Sequence, residues 1–282
     1  MARLSSLFFS CGCALSATFS SCISAASSSS SASSFCAAPG FSLEWSDEFS
    51  GSAIDASSWS VSADTPRDDS SCREATCMPA NVAVAGGQLV LTARRENVAW
   101  ANYTTGAVNT HGKRGWGARP GAPVRICISG TVPVGPNSTA ASYWPAFWLM
   151  PDDASCWPDH GELDLMEMIN GDGVEHYTYH VSPANASACH GGPVQRSAGG
   201  NGPVSPGAHE YAVEIAMGRL SFAVDGAIKW SSSSTDLPVH DVSWGVILNF
   251  AIGRPWAYAP TESTDFPVST TVDYVRVARG GN

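Results

Sequence analysis

The sequence is poor in charge, and in positive charge above all. Only 14% of its 282 residues are charged, 15 Lys and Arg stand against 25 Asp and Glu, and Lys113 and Lys229 are the two lysines. The net charge of −10 disfavours binding to nucleic acid or to an anionic membrane, because both require a positive protein surface. We therefore expect a neutral partner, and the 10 Trp residues favour recognition by stacking.

Several signatures of other enzyme classes are also missing. The chain has no G-x-S-x-G motif, no P-loop, no dinucleotide-binding fingerprint and no zinc-type cysteine spacing. It also lacks an internal repeat and any amphipathic pattern long enough for a three-turn helix. These absences argue against serine hydrolases, nucleotide-dependent enzymes, propellers and solenoids. We expect no cofactor and no catalytic metal, with a structural calcium ion left open.

The N-terminal 40 residues differ in composition from the rest of the chain. Residues 1–25 predict a secretory signal peptide, because Arg3 precedes a moderately apolar stretch and a cleavage context of small residues. Residues 26–40 are predicted to be a serine-rich linker, and residues 41–282 a single domain. We expect a secreted monomer, extracellular or in the cell wall, with no membrane contact beyond the signal peptide. A lipid anchor at Cys22 is the alternative for this segment.

The cysteine pattern agrees with export. Beyond the signal region six cysteines remain, which permit up to three disulfides in an oxidising compartment. They are Cys36, Cys72, Cys77, Cys127, Cys156 and Cys189. Cys72 and Cys77 are close enough to close a small loop, but the sequence leaves the pairing open. Glycosylation sequons at Asn102, Asn137 and Asn185 also fit a secreted protein.

Short alternating runs between Gly- and Pro-rich turns predict an all-β domain, an antiparallel β-sandwich. A hairpin turn is predicted at Met217-Gly218, and Asp225-Gly226 is predicted to end the next strand. The predicted strands are 88–94, 124–132, 210–215, 220–224, 244–252 and 271–277.

The most informative segment contains three carboxylates. Glu162 and Asp164 share one face of a predicted strand, and strict alternation would place Glu167 on the apolar face. A β-bulge at Met166 would return Glu167 to the face of Glu162. The two glutamates then have the spacing of a retaining glycosidase pair, with the charges of Glu162 and Asp164 raising the pKa of Glu167. A solvated acidic face and a calcium site are the alternatives from spacing alone.

Aromatic residues precede this segment. Alternation places Trp144, Ala146 and Trp148 on one face of a strand. Such a pair of tryptophans is compatible with a core position, but beside a carboxylate strand it also suits stacking on sugar rings.

The segment Gly161-Glu-Leu-Asp-Leu-Met-Glu167 closely resembles the bulged active-site signature of glycoside hydrolase family 16, which is typical of laminarinase-like endo-β-1,3-glucanases. The resemblance extends along most of residues 41–278. The further matching blocks are 43–49, 87–93, 144–149, 224–226, 248–253 and 272–277.

This resemblance implies a β-jelly roll with a concave substrate cleft. By motif position it implies Glu162 as nucleophile, Asp164 as its supporting acid and Glu167 as acid/base. The expected reaction is retaining endo-cleavage of β-1,3- or mixed-linkage β-1,3/1,4-glucan, and the expected partner is that polysaccharide. The candidate substrate-binding residues are Arg125, Trp144, Trp148, His180 and Trp256.

Two blocks depart from the family pattern. Cys127 and Ser129 stand where relatives often have Glu and Arg, while Arg125 is retained, and Gly253-Arg-Pro-Trp256 replaces a frequent Gly-Gly-x-Trp turn. A galactan substrate therefore stays open. The alternatives are a non-catalytic β-glucan-binding protein on the same fold, which typically lacks the catalytic carboxylates, and a glucan or galactan transglycosylase.

Overall fold

Short strands make up most of the computed structural model, which describes residues 34–65, 71–98, 100–153, 157–183 and 196–281. The predicted signal peptide, residues 26–33 of the predicted linker, Cys156, Cys189 and Asn185 lie outside these residues. The described residues belong to one compact unit, Ala32–Asn282. Within them, no helix has the length and apolar character required to cross a bilayer.

Helical segments are short, comprising 3₁₀ turns at Phe35–Ala37 and Pro79–Asn81 and the helix α1 at Asn137–Ala140. The strands, in chain order, are β1 Phe41–Asp47, β2 Ser60–Val61, β3 Thr76–Cys77, β4 Val82–Ala85, β5 Gln88–Val98, β6 Ala101–Thr105, β7 Ala107–Asn109, β8 Val124–Thr131, β9 Tyr143–Pro151, β10 Glu162–Met168, β11 Val174–Val181, β12 Arg196–Pro203, β13 Ala208–Ala216, β14 Arg219–Val224, β15 Ala227–Ser233, β16 Trp244–Ile252 and β17 Val268–Gly280.

The strands form two sheets. A ten-stranded sheet has the order β15-β14-β13-β8-β17-β5-β6-β3, with β1 pairing with β17 and β4 with β5. A seven-stranded sheet has the order β12-β11-β10-β9-β16-β7-β2. Nearly all pairings are antiparallel, the pairing of β3 with β6 being parallel. The predicted all-β sandwich is confirmed.

The main core lies between the two sheets. Leu91 and Ile128 from the ten-stranded sheet and Leu149 and Leu163 from the seven-stranded sheet belong to one buried cluster. Aromatic rings meet across the layers, with the centroids of Phe147 on β9 and Tyr211 on β13 6.0 Å apart. One face of the seven-stranded sheet therefore packs in the core, and the cleft lies on its opposite face.

The strand predictions agree closely with the structure. The predicted strand at 244–252 coincides with β16, and the others match β5, β8, β13, β14 and β17 with shifted ends. Ala216 pairs with Arg219 around Met217-Gly218, where Gly218 has a φ of 68°. This positive φ is the reason that glycine suits the hairpin turn.

The N-terminal boundary of the domain requires a correction. The linker was predicted to extend to residue 40, but Phe35 and Cys36 are buried and Cys36 is disulfide-bonded to Cys127 of β8. Glu210 accepts hydrogen bonds from the backbone N–H of Phe35 at 2.6 Å and from the Ser34 hydroxyl at 2.5 Å. The residues after the serine tract carry an aromatic ring and a cysteine, and both pack on the ten-stranded sheet.

Candidate active site

The three carboxylates lie on β10, in the middle of the seven-stranded sheet. Relative to both neighbouring strands, the register of β10 slips by one residue between Asp164 and Glu167. Leu165 and Met166 both enter the core at this bulge. The predicted bulge is therefore confirmed, and it turns Glu167 onto the cleft face beside Glu162 and Asp164.

These carboxylates line a cavity of about 630 Å³ on the face opposite to the core. Alternate residues of β9 (Trp144, Ala146, Trp148 and Met150) form part of its floor. β11 contributes Thr178 and His180, β16 contributes Asn249, and the loop after β16 contributes Trp256. The structure thus brings together seven of the eight predicted site residues.

Glu167 is nearly buried, with 8% of its surface exposed. Burial raises the pKa of Glu167 well above its usual range, and the charge of Asp164 raises this pKa further. The indole N–H of Trp144 opposes this shift by donating a hydrogen bond to Oε1 of Glu167 at 2.8 Å. Burial thereby favours the protonated form of Glu167, which is the form that a general acid requires. The direction of the shift matches the sequence prediction, but burial is a larger cause than charge.

Asp164 is still more buried, with 1% exposed. Burial first, and then the charge of Glu162 and a hydrogen bond between the two side chains, raise the pKa of Asp164 well above its usual range. Two carboxyl groups in contact favour a shared proton, because both cannot be ionised cheaply. The raised pKa of Asp164 favours its protonated form, in which it can donate a hydrogen bond to Glu162.

His180 on β11 lies directly across from Glu162 in the strand pairing. Its Nε2 lies 3.2 Å from Oδ2 of Asp164, and its Nδ1 lies 2.6 Å from the hydroxyl of Ser197 on β12. The ring therefore lies beside both Glu162 and Asp164. His180 thus lines the cleft as the resemblance implied, and it also contacts the carboxylate cluster.

Tryptophan rings border the acids on both sides. The indole N–H of Trp157 donates to Oε2 of Glu162, and about half of this ring is exposed. On the other side, Trp256 is 46% exposed and packs edge-on against Trp144, with centroids 5.7 Å apart. Exposed aromatic faces beside buried carboxylates form a surface suited to stacking on sugar rings.

The cavity residues that were not predicted from the sequence include Arg73, Trp157 and Asn249. Asn249 accepts a 2.7 Å hydrogen bond from the indole of Trp148 and donates one of 2.8 Å to the carbonyl of Ser71. A single polar residue in the apolar run of β16 was the available signal for Asn249. Trp157 lies five positions before Glu162 and was detectable as an aromatic residue near the motif. Nothing in the sequence distinguished Arg73 except its place between two cysteines.

Arg125 does not lie in the cleft, so the prediction that it binds substrate is wrong. It belongs to β8 of the ten-stranded sheet, where its guanidinium pairs with Glu214 at 2.8 Å. The guanidinium also lies between the rings of Phe35 and Phe41, 3.8 and 3.7 Å from their centroids. Arg125 therefore holds the N-terminal segment on the sheet, on the other layer of the sandwich from the carboxylates.

One group of side chains in the described part of the chain has the spacing of a metal site. Ligand atoms of Glu162, Asp164 and His180 all lie within 4.8 Å of one another. Ca²⁺ takes about six to eight oxygen ligands, and this group supplies two carboxylates and an imidazole. The group therefore supplies fewer oxygen ligands than Ca²⁺ usually takes.

Comparison with known proteins finds a matching family model and similar enzymes. The family model described as the XgeA-like catalytic domain of glycoside hydrolase family 16 matches residues 132–203, which include all three carboxylates. A beta-glucanase from Rhodothermus marinus is 29% identical over 262 residues, which cover 86% of each chain. A keratan-sulfate endo-1,4-beta-galactosidase from Sphingobacterium multivorum is 31% identical over 253 residues, covering 84% of this chain and 55% of that protein.

A solved structure confirms the architecture. The laminarinase from Rhodothermus marinus superposes with a TM-score of 0.72 and 26% sequence identity, covering 86% of this chain and 98% of that one. The predicted jelly-roll fold agrees with this similarity.

Proposed function

The chain belongs to glycoside hydrolase family 16, and on this premise we propose that it is a retaining endo-hydrolase of β-1,3- or mixed-linkage β-1,3/1,4-glucan. The observation that carries the proposal is the contrast between two glutamates on one strand. Burial raises the pKa of Glu167 and favours its protonated form, whereas Glu162 accepts hydrogen bonds from Trp157 and Asp164. An acid and a charged nucleophile side by side are the two groups that retaining glycoside hydrolysis requires.

The proposed reaction has two displacements. In the first, a carboxylate oxygen of Glu162 attacks the anomeric carbon while Glu167 transfers its proton to the departing glycosidic oxygen. In the second, the ionised Glu167 takes a proton from water, and that water displaces Glu162 from the sugar. The two inversions restore the original configuration. Asp164 and Trp157 orient Glu162 throughout, because both donate hydrogen bonds to it.

The substrate class is supported by the chemistry of the cleft. Trp148, Trp157 and Trp256 offer ring faces, and the cavity is lined mostly by aromatic and apolar residues with few cations. Among the related proteins, two carry the names of glucan-degrading enzymes, whereas the keratan-sulfate enzyme cleaves a β-galactosidic bond. These names favour a β-linked polysaccharide, with glucan as the first candidate and galactan as the second.

We further propose that the protein is secreted and acts outside the cell as a monomer, without a cofactor. Two disulfides among the described residues, Cys36–Cys127 and Cys72–Cys77, support an oxidising compartment.

The decisive experiment is a product assay of the purified protein on laminarin, barley mixed-linkage glucan, agarose and carrageenan, beside its Glu162→Gln variant. We expect the wild type alone to release oligosaccharides of mixed length from one of the two glucans. Release from agarose or carrageenan alone would reassign the substrate to a galactan. Binding without release on every polysaccharide would reject the enzyme assignment in favour of a lectin-like protein, and longer oligosaccharides formed from short ones would identify a transglycosylase.

A further inference from the structure

Arg73 lies in the wall between the cleft and a second cavity of about 610 Å³. Its side chain lines both cavities. The second cavity is otherwise formed by residues such as Glu74, Trp100, Tyr103 and Arg254. A sugar chain extending from the carboxylates past Trp144 would therefore contact Arg73.

The backbone of Arg73 is held in an uncommon conformation. Its φ of 58° is in the left-handed region, which a non-glycine residue occupies only when the surrounding structure enforces it. Two constraints are visible here. The disulfide Cys72–Cys77 closes the loop around Arg73, and a bridge to Ile252 ties the loop to β16, with the N–H of Glu74 donating to the Ile252 carbonyl at 2.9 Å. Backbone strain of this kind is concentrated at functional positions.

The side chain of Arg73 packs on Trp144 but has no hydrogen-bonded or ion-paired partner among the residues that the structure describes. Its guanidinium lies over the ring of Trp144, 4.9 Å from the centroid. Its Nε is buried without a hydrogen-bond partner, and no carboxylate of the described residues lies within ion-pair distance of it. The neighbouring Arg254, by contrast, is paired with Glu74 at 2.6 Å. In a chain with a net charge of −10, an unpaired arginine beside the cleft requires an explanation.

We propose that Arg73 binds an anionic substituent, a sulfate ester or a carboxylate, on the sugar chain that occupies the cleft. This inference rests on the proposed function, because it requires a polysaccharide between the tryptophan rings. A guanidinium fork matches two oxygens of an oxyanion, and the stacking on Trp144 fixes its plane. The cleft also needs a cation to accept such a group, because Glu162 would otherwise repel an anionic chain. The natural substrate is therefore a β-linked polysaccharide with acidic substituents.

The test measures affinity on matched ligands. Laminarin and agarose oligosaccharides are prepared in neutral and in sulfated form, and laminarin oligosaccharides also with a carboxylate at C6. Dissociation constants are measured for the Glu162→Gln protein, which does not consume the ligand, with and without Arg73→Gly. Glycine fits the positive φ of this position, so the variant removes the side chain without adding strain. Arg73→Lys keeps the charge, and Arg119→Gln removes one charge from an exposed side chain outside both cavities.

We expect the protein to bind an anionic form about tenfold or more tightly than its neutral counterpart on at least one backbone, as a charge-assisted hydrogen bond provides. Arg73→Gly should reduce the ratio of the affinities for the anionic and the neutral form to about one. Arg73→Lys should keep part of this preference, and Arg119→Gln should leave it unchanged. The preference should weaken between about 50 mM and about 500 mM NaCl because salt screens the charges. Preference for the sulfated or for the carboxylated laminarin identifies which anion is recognised.

Two results would overturn the inference: no anionic preference on either backbone, or an equal loss of neutral and anionic binding in both Arg73 variants. Failure of the proposed function is a separate result, because it is decided by the release of products from neutral laminarin and barley glucan by the wild type. The agarose pair keeps the test of Arg73 valid even if neither glucan is hydrolysed.

Discussion

The indole N–H of Trp144 donates a hydrogen bond of 2.8 Å to Oε1 of Glu167, from the neighbouring strand of the same sheet. This bond stabilises the ionised form of a carboxyl group whose burial favours the protonated form. Burial and the charge of Asp164 thus raise the pKa of Glu167, and the N–H of Trp144 opposes them. Because the same ring lies under Arg73, Trp144 connects the proton donor to the far wall of the cleft.

Replacing this donor should move the pH profile of the enzyme. In Trp144→Phe the carboxylate of Glu167 loses the N–H, so the pKa of Glu167 rises further above its usual range. A general acid is active while protonated, and activity is lost as pH rises through its pKa. The alkaline limb of kcat/KM should therefore shift to higher pH, which a pH–rate profile on the identified polysaccharide measures. Trp148→Phe is the control, because Trp148 donates to Asn249 rather than to an acid. An alkaline limb that stays in place in Trp144→Phe would contradict this account.

The roles of the two glutamates should be separable by chemical rescue. Glu162→Ala should lower kcat by about 10⁴-fold or more, as the loss of a nucleophile does, and azide should restore turnover with an α-glycosyl azide as product. Glu167→Ala should still form the glycosyl-enzyme from a substrate with an activated leaving group, and azide should then give the β-glycosyl azide. The anomeric configuration is read by NMR. The same anomer from both variants would reject the assignment of nucleophile and acid/base.

The sequence was sufficient to predict the strands of the sheets and the carboxylate strand, because the patterns that indicate them are local. Alternation along β9 and β16 is a period-two pattern, and the bulge in β10 follows from the cost of burying Glu167 among leucines. The same alternation placed Trp144 and Trp148 on one face of β9, and the structure shows that this face lines the cleft. Each of these predictions depends on a few consecutive residues.

The errors and omissions involve contacts between distant parts of the chain. Arg125 was assigned to the cleft because it is retained in a block that otherwise departs from the family pattern. Which sheet contains β8, however, depends on its pairing with β13 and β17. Arg73 reaches the cleft because a disulfide loop packs on β16, a strand almost 180 residues later, and no local pattern reports this contact. The sequence also could not show that burial affects the pKa of Glu167 more than charge does, because burial depends on how the strands pack.

The two disulfides should differ in what they stabilise. Cys36 and Cys127 are 91 positions apart, so the loop-entropy relation gives about 4.6 kcal/mol for this bond and about 2 kcal/mol for Cys72–Cys77, which spans 5 positions. The double variant Cys36→Ser/Cys127→Ser should therefore lose more unfolding free energy in urea but retain KM when folded. Cys72→Ser/Cys77→Ser should lose less stability and raise KM, because its loop carries Arg73. If KM rose in Cys36→Ser/Cys127→Ser but not in Cys72→Ser/Cys77→Ser, the small loop would not position the cleft.

Arg125 should matter for stability rather than for catalysis. Its side chain is 12% exposed and that of Glu214 is 10% exposed, so removing the arginine leaves a buried carboxylate with one partner fewer. Breaking a buried pair costs about 3–5 kcal/mol, and Arg125→Ala should fall near the lower end because Arg219 still contacts Glu214 at 2.9 Å.

The expected result for Arg125→Ala is a loss of about 3 kcal/mol in urea unfolding, with kcat and KM unchanged below its melting temperature. Arg219→Ala is the matched control: its side chain is 57% exposed, and its removal should cost about 1 kcal/mol or less. A raised KM in Arg125→Ala without a loss of stability would return this residue to the substrate site. The structure argues against that outcome, since Arg125 is enclosed by Phe35 and Phe41 on the sheet that does not carry the acids.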